Sequence, residues 1–118
     1  MNLFKRWLWP HSVRSQVLSL FKRGMSRTVK EDPQGAIDAY TLAIDHAGAP
    51  DDLKAMALYN RALLFAASGK ADQARADLRQ VMELPTSLAN IKLAARRRLE
   101  RLQHRRDLAA QPERHATS

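Results

Sequence analysis

The chain has 118 residues, 45% of them apolar, which is room for one ordinary hydrophobic core and so for one domain. It contains no cysteine, which excludes a disulfide framework, a thiolate metal site and a thiol nucleophile. The net charge is +8, and no apolar run reaches the roughly 18 residues of an ordinary transmembrane helix.

That charge is unevenly spread. Residues 1–30 carry seven basic groups and no acid, residues 31–90 carry five basic and nine acidic groups, and residues 91–118 carry eight basic and three. Basic ends around a mildly acidic middle suit an anionic partner (nucleic acid, lipid headgroups or an acidic peptide), and they also suit a small protein kept soluble by arginine. With only four glycines and few β-branched residues, the composition favours helix over strand.

In chain order, Met1 to Pro10 comes first, and its core is Leu3-Phe4-Lys5-Arg6-Trp7-Leu8-Trp9. A basic pair without a following apolar stretch is not a signal peptide, so a cytoplasmic location is expected. Aromatics beside two cations suit contact of residues 1–9 with a membrane surface; packing back onto the open end of a helical stack is the alternative. Residues 1–12 are therefore set apart as an N-terminal segment.

Five helical segments follow. Val13 to about Lys30 places Val17, Leu20, Phe21 and Met25 on one stripe. Glu31-Asp32-Pro33-Gln34-Gly35 reads as a turn, since Pro33 fixes its own φ and drives Asp32 away from α. Gln34 to Asp45 carries Ile37, Tyr40, Ala43 and Ile44 on its stripe. After a loop at Ala47-Gly48-Ala49-Pro50, Asp51 or Asp52 is expected to cap a helix over Leu53 to Ser68, which is apolar on several faces and so buried between neighbours. Gly69 breaks the chain before Ala71 to Glu83, with Ala74, Leu78, Val81 and Met82. Past Pro85, Thr86 or Ser87 is expected to cap Leu88 to Gln103, whose stripe is Leu88, Ile91, Ala95, Leu99 and Leu102. From His104 the apolar period is lost, and residues 104–118 read as a basic, disordered tail.

The sequence repeats itself at an offset of 38 residues. Leu20 falls on Leu58, Phe21 on Tyr59, Arg23 on Arg61, Gly24 on Ala62 and Met25 on Leu63. Ala36 then falls on Ala74, Tyr40 on Leu78 and Ala43 on Val81. A small residue on the first helix of a hairpin lets the second approach at its own small residue, and a large one four positions on fills the space beside that contact. A single hairpin cannot bury its apolar face, so such units stack.

On these residues the chain resembles the tetratricopeptide repeat family, whose unit is about 34 residues. The second copy matches its pattern through Tyr59-Asn60-Arg61-Ala62, Phe65, Gly69, Ala74, Leu78 and Pro85. The first keeps Gly24, Ala36, Tyr40 and Pro50 but has Arg27 where an aromatic is usual, and it carries about four extra residues before Leu58. Ile91 and Ala95 stand in the last segment as Leu58 and Ala62 do in the second, and Arg98 replaces the aromatic as a solvent-facing cap would require. The resemblance implies an all-α fold over residues 13–103: antiparallel helical hairpins stacked as a short α-solenoid, two repeats plus a capping helix.

The resemblance also implies a concave groove lined by the first helix of each unit, here Phe21, Met25, Tyr59, Leu63, Lys92 and Arg96. Asn60 falls where some members hold a peptide's terminal carboxylate, and it is equally a packing residue of the repeat. An apolar floor with a basic wall at Lys92 and Arg96 would take an acidic peptide or partner protein. So short an array leaves apolar surface that a second copy could cover, making a homo-oligomer.

Catalysis is not expected. His11, His46, His104 and His115 show no metal-ligand spacing and read as solvated, no Gly-rich phosphate loop exists, and no serine has a base beside a strained turn, so no catalytic residue, metal or cofactor is assigned. The competing interaction is with nucleic acid. Arg96-Arg97-Arg98, Arg101, Arg105 and Arg106 crowd one helix, and Arg97, Arg101 and Arg105 are the candidate phosphate contacts.

Overall fold

The computed structural model describes residues 12–85 and 88–111; the aromatic N-terminal segment through residue 11, Thr86, Ser87 and residues 112–118 of the expected tail lie outside them. These residues form an all-α stack of five helices: α1 (Val13–Val29), α2 (Pro33–Asp45), α3 (Asp51–Ala67), α4 (Ala71–Glu83) and α5 (Ala89–Ala109). No helix among them is long and apolar enough to cross a membrane.

Local chemistry accounts for the boundaries. Ser12 caps α1 by accepting from the Ser15 N–H at 3.2 Å. Asp32 caps α2 in the same way, accepting from the Gly35 N–H at 3.0 Å, with Pro33 at the position where no N–H is needed. The chain turns between α1 and α2 through Glu31, at φ +57°, and between α3 and α4 through Gly69, at φ +77°. The expected cap at Asp51 or Asp52 is corrected: Pro50 holds the cap position without a side-chain bond, and both aspartates lie inside the first turn, where their charge meets the positive end of the helix dipole.

The last helix also departs from expectation: Leu88, and neither Thr86 nor Ser87, holds its cap position, and the helix runs six residues past Gln103 to Ala109. Residues 104–109 have lost the apolar period but keep helix formers, and the Gln103 side chain donates to Asp107 one turn on, at 3.2 Å. The basic region that begins at His104 is therefore helical through Ala109.

Packing follows the chain. Helices α1 and α2 make one hairpin, α3 and α4 a second, and α5 lies against α4; α3 touches all four other helices. It buries Leu53, Ala55, Ala57, Leu58 and Ala62, which explains its apolar character on several faces. The core links Val17 and Phe21 of α1 with Tyr40 and Ala43 of α2, Leu58 of α3, Leu78 and Val81 of α4, and Ala95 and Leu102 of α5. Burying a side chain the size of Leu58 contributes about 1.5–3 kcal/mol.

The small residues set the approach of each hairpin. A Cβ at Gly24 would fall within 2.7 Å of three atoms of the Tyr40 ring, so only glycine admits that ring at this point. Phe21 meets the same ring in a tilted pair, centroids 5.7 Å apart. In the second hairpin Ala62 and Leu78 stand at the equivalent positions, both buried.

A charged pair ties three helices together. The Arg61 guanidinium donates to both carboxylate oxygens of Asp77 at 2.8 and 2.7 Å and to Thr41 Oγ1 at 3.0 Å, while lying over the Phe65 ring. Asp77 is 4% exposed, so it is a carboxylate desolvated and then satisfied. The repeat does not reproduce this: Ala39 stands where Asp77 does, and Arg23 is exposed.

Candidate groove between the first and third helices

A pocket of about 340 Å³ lies where the C-terminal half of α1 faces α3. From α1 come Met25, Val29 and Thr28, and from α3 come Asn60, Leu63 and Leu64; Tyr40 of α2 closes the back. The spacing follows from helical geometry: Met25 and Val29 are one turn apart, as are Asn60 and Leu64. Thr28 turns its hydroxyl onto the Gly24 carbonyl at 2.9 Å, which leaves its methyl for the pocket. The lining is almost wholly apolar, yet Met25 is 47% and Val29 84% exposed. One polar pair interrupts it, the Asn60 amide donating to the Tyr40 hydroxyl at 3.3 Å.

Of the expected groove residues, the structure brings Met25, Asn60 and Leu63 together. Phe21 is corrected: it is 5% exposed and belongs to the core, because its position one turn after Val17 points it at Tyr40 rather than outward. Tyr59 is half-buried against the core, and neither it nor Lys92 or Arg96 lines the pocket. Sequence reasoning missed Tyr40, Thr28, Val29 and Leu64. Tyr40 could have been found, since a glycine 16 residues before a tyrosine across a hairpin implies a ring seated on the glycine, its hydroxyl near the next helix.

The basic residues of α5 do not form one ridge. Arg97 and Arg101 border a shallow depression with Glu100 and His104, and Arg105 continues their line; all three arginines are exposed. Arg96 is exposed, and Arg98, expected to face solvent, is half-buried.

Elsewhere, His46 is not simply solvated: its Nε2 meets Gln16 Oε1 and its Nδ1 the Ala47 carbonyl, both at 2.9 Å. At the start of the stack the Arg14 guanidinium donates to both oxygens of Asp52, at 3.1 and 2.7 Å. Those bonds raise the Arg14 pKa and hold the Asp52 carboxyl below its ordinary range. Among the described residues no group of three or more His, Cys, Asp or Glu could hold a metal ion.

No protein-family model matches the chain, and neither a curated protein nor a solved structure matches it.

Proposed function

We propose that this chain is a non-catalytic protein-interaction module of tetratricopeptide-like construction, acting in the cytoplasm, and that the groove between α1 and α3 receives an apolar side chain of a partner peptide. The observation that carries this reading is the uncovered pocket itself, apolar walls around a single amide–hydroxyl pair. Pockets of this kind bind by burying apolar surface, with a few polar groups fixing orientation. Asn60 keeps one amide hydrogen and its carbonyl oxygen available to a peptide backbone, since one N–H is engaged by Tyr40. Helix α1, which forms one wall, carries four basic residues and no acid, and this favours a partner with acidic residues around the anchoring side chain.

The test is selection from a displayed random-peptide library on the purified protein, followed by calorimetric titration of the enriched peptides. Enrichment of a shared apolar anchor flanked by acidic residues is expected, with binding weakened at least about tenfold in Met25→Glu/Leu63→Glu. Peptides that bind the double variant as tightly as the parent would place the site elsewhere. Both positions face the open groove, so circular dichroism should show the variant folded.

A further inference from the structure

The continuous helix α5 sets the order of its arginines. Arg97, Arg101 and Arg105 follow at intervals of four, so they lie nearly in line, about 6 Å apart along the axis and about 12 Å from first to last. All three are exposed, and among the described residues none of them forms an ion pair. Like charges at this spacing repel one another along a helix, so the arrangement costs stability unless an anion offsets it. The helix stays continuous through this stretch, and Ala95 and Leu102 anchor it to the stack on its other side.

We propose that this line of arginines is a docking face for the phosphodiester backbone of double-stranded nucleic acid, bound without base recognition. Guanidinium groups pair with phosphate oxygens in two-point fashion, and a rigid row of them matches a rigid polyanion better than a mobile one. A duplex is favoured over a single strand because α5 contains no Phe, Tyr or Trp on which bases could stack. An anionic membrane is disfavoured because the apolar side of α5 is turned into the stack, and the outer side offers only Leu93 and Leu108, fifteen residues apart. Glu100 borders the same depression as Arg97 and Arg101 and lowers the local charge, so the contact is a modest, salt-sensitive one. The face is separate from the α1–α3 groove, so either can hold without the other.

The experiment is fluorescence anisotropy of the full chain with labelled 20-base-pair DNA and RNA duplexes of arbitrary sequence, the matching single strands and phosphatidylserine vesicles. Binding to a duplex should fall steeply with salt. Arg97→Gln/Arg101→Gln/Arg105→Gln should weaken it at least about tenfold in 50 mM salt and reduce the log–log salt slope by about 2.7. Lys22→Gln/Arg23→Gln/Lys30→Gln removes the same charge from exposed positions on and beside α1 and should change affinity by less than about threefold. Equal losses in the two triple variants would show a net-charge effect and overturn the assignment. So would tighter binding to single strands, or binding to vesicles alone.

Discussion

Glu31 and Gly69 occupy the same left-handed backbone position, 38 residues apart, at φ +57° and φ +77°. The bonds around them correspond atom for atom. Asp32 N–H donates to the Arg27 carbonyl at 2.9 Å as Lys70 N–H does to Phe65 at 2.8 Å. Each turn closes a helix with one unfavourable residue: the first has a good cap, Asp32, after a poor left-handed residue, and the second has the right glycine before a poor cap, Lys70. Glu31→Gly should therefore stabilise the fold by about 0.5–1 kcal/mol, because the side chain pays for a conformation that glycine adopts freely. Lys70→Asp should add about 1 kcal/mol by supplying an acceptor to the first turn of α4. In thermal melts each should raise the midpoint by several degrees, and a fall in either case would contradict this account of the turns.

The contact between Gly24 and Tyr40 makes a sharper prediction. Alanine is the better helix former by about 1 kcal/mol, yet Gly24→Ala should destabilise by about 1–2 kcal/mol, because its methyl would overlap a ring that is 2% exposed and cannot swing away. The second hairpin shows the remedy, Ala62 with Leu78. Gly24→Ala/Tyr40→Leu should therefore recover part of the loss, and denaturant unfolding of the four proteins would measure the coupling. Purely additive effects would mean that the two residues do not limit each other.

Removing one half of the Arg61–Asp77 pair should be worse than removing both. Asp77→Ala leaves the guanidinium, 16% exposed in its side chain, without its carboxylate, at a cost of about 3 kcal/mol. Arg61→Met/Asp77→Leu should lie closer to the parent, since apolar residues of similar volume need no hydration. Unfolding free energies in which the double variant is the less stable would show that the pair is favourable in its own right.

The Arg14–Asp52 contact should be visible as a titration. Because the Asp52 carboxyl is held below its ordinary range, its contribution to stability is complete above the usual aspartate pKa and is lost as the pH falls through the lower, folded value. Carboxyl carbon NMR should place Asp52 below a random-coil aspartate, and Arg14→Gln should return it upward. The pair is open to solvent, so melting at neutral pH should change little. An unchanged Asp52 titration in the variant would show that the bonds do not persist in solution.

Much of this architecture is legible in the residues. Apolar spacing and the turn residues locate five helices within a few positions, because capping and left-handed turns are local chemistry. Their stacking in hairpins is equally legible from the small-to-large pairs. The extent of α5 is not legible in its apolar stripe, because loss of the stripe signals loss of a neighbour and not loss of helix; Arg, Gln, Leu and Ala continue it to Ala109. The groove was half legible: Met25, Asn60 and Leu63 come from repeat position, whereas Phe21 on the same stripe is core.

By itself, then, the sequence determined the helices, their hairpin order and the excess of positive charge, all of which depend on residues near one another in the chain. Which apolar residues stay uncovered, and which arginines stand in line, depends on how the helices pack. An apolar stripe spans a broad arc of a helix, and the neighbour's side chains select the part that is buried. At Phe21 that neighbour is Tyr40, admitted by Gly24; at Met25, one turn on, none of the described helices covers the side chain, and the groove begins there.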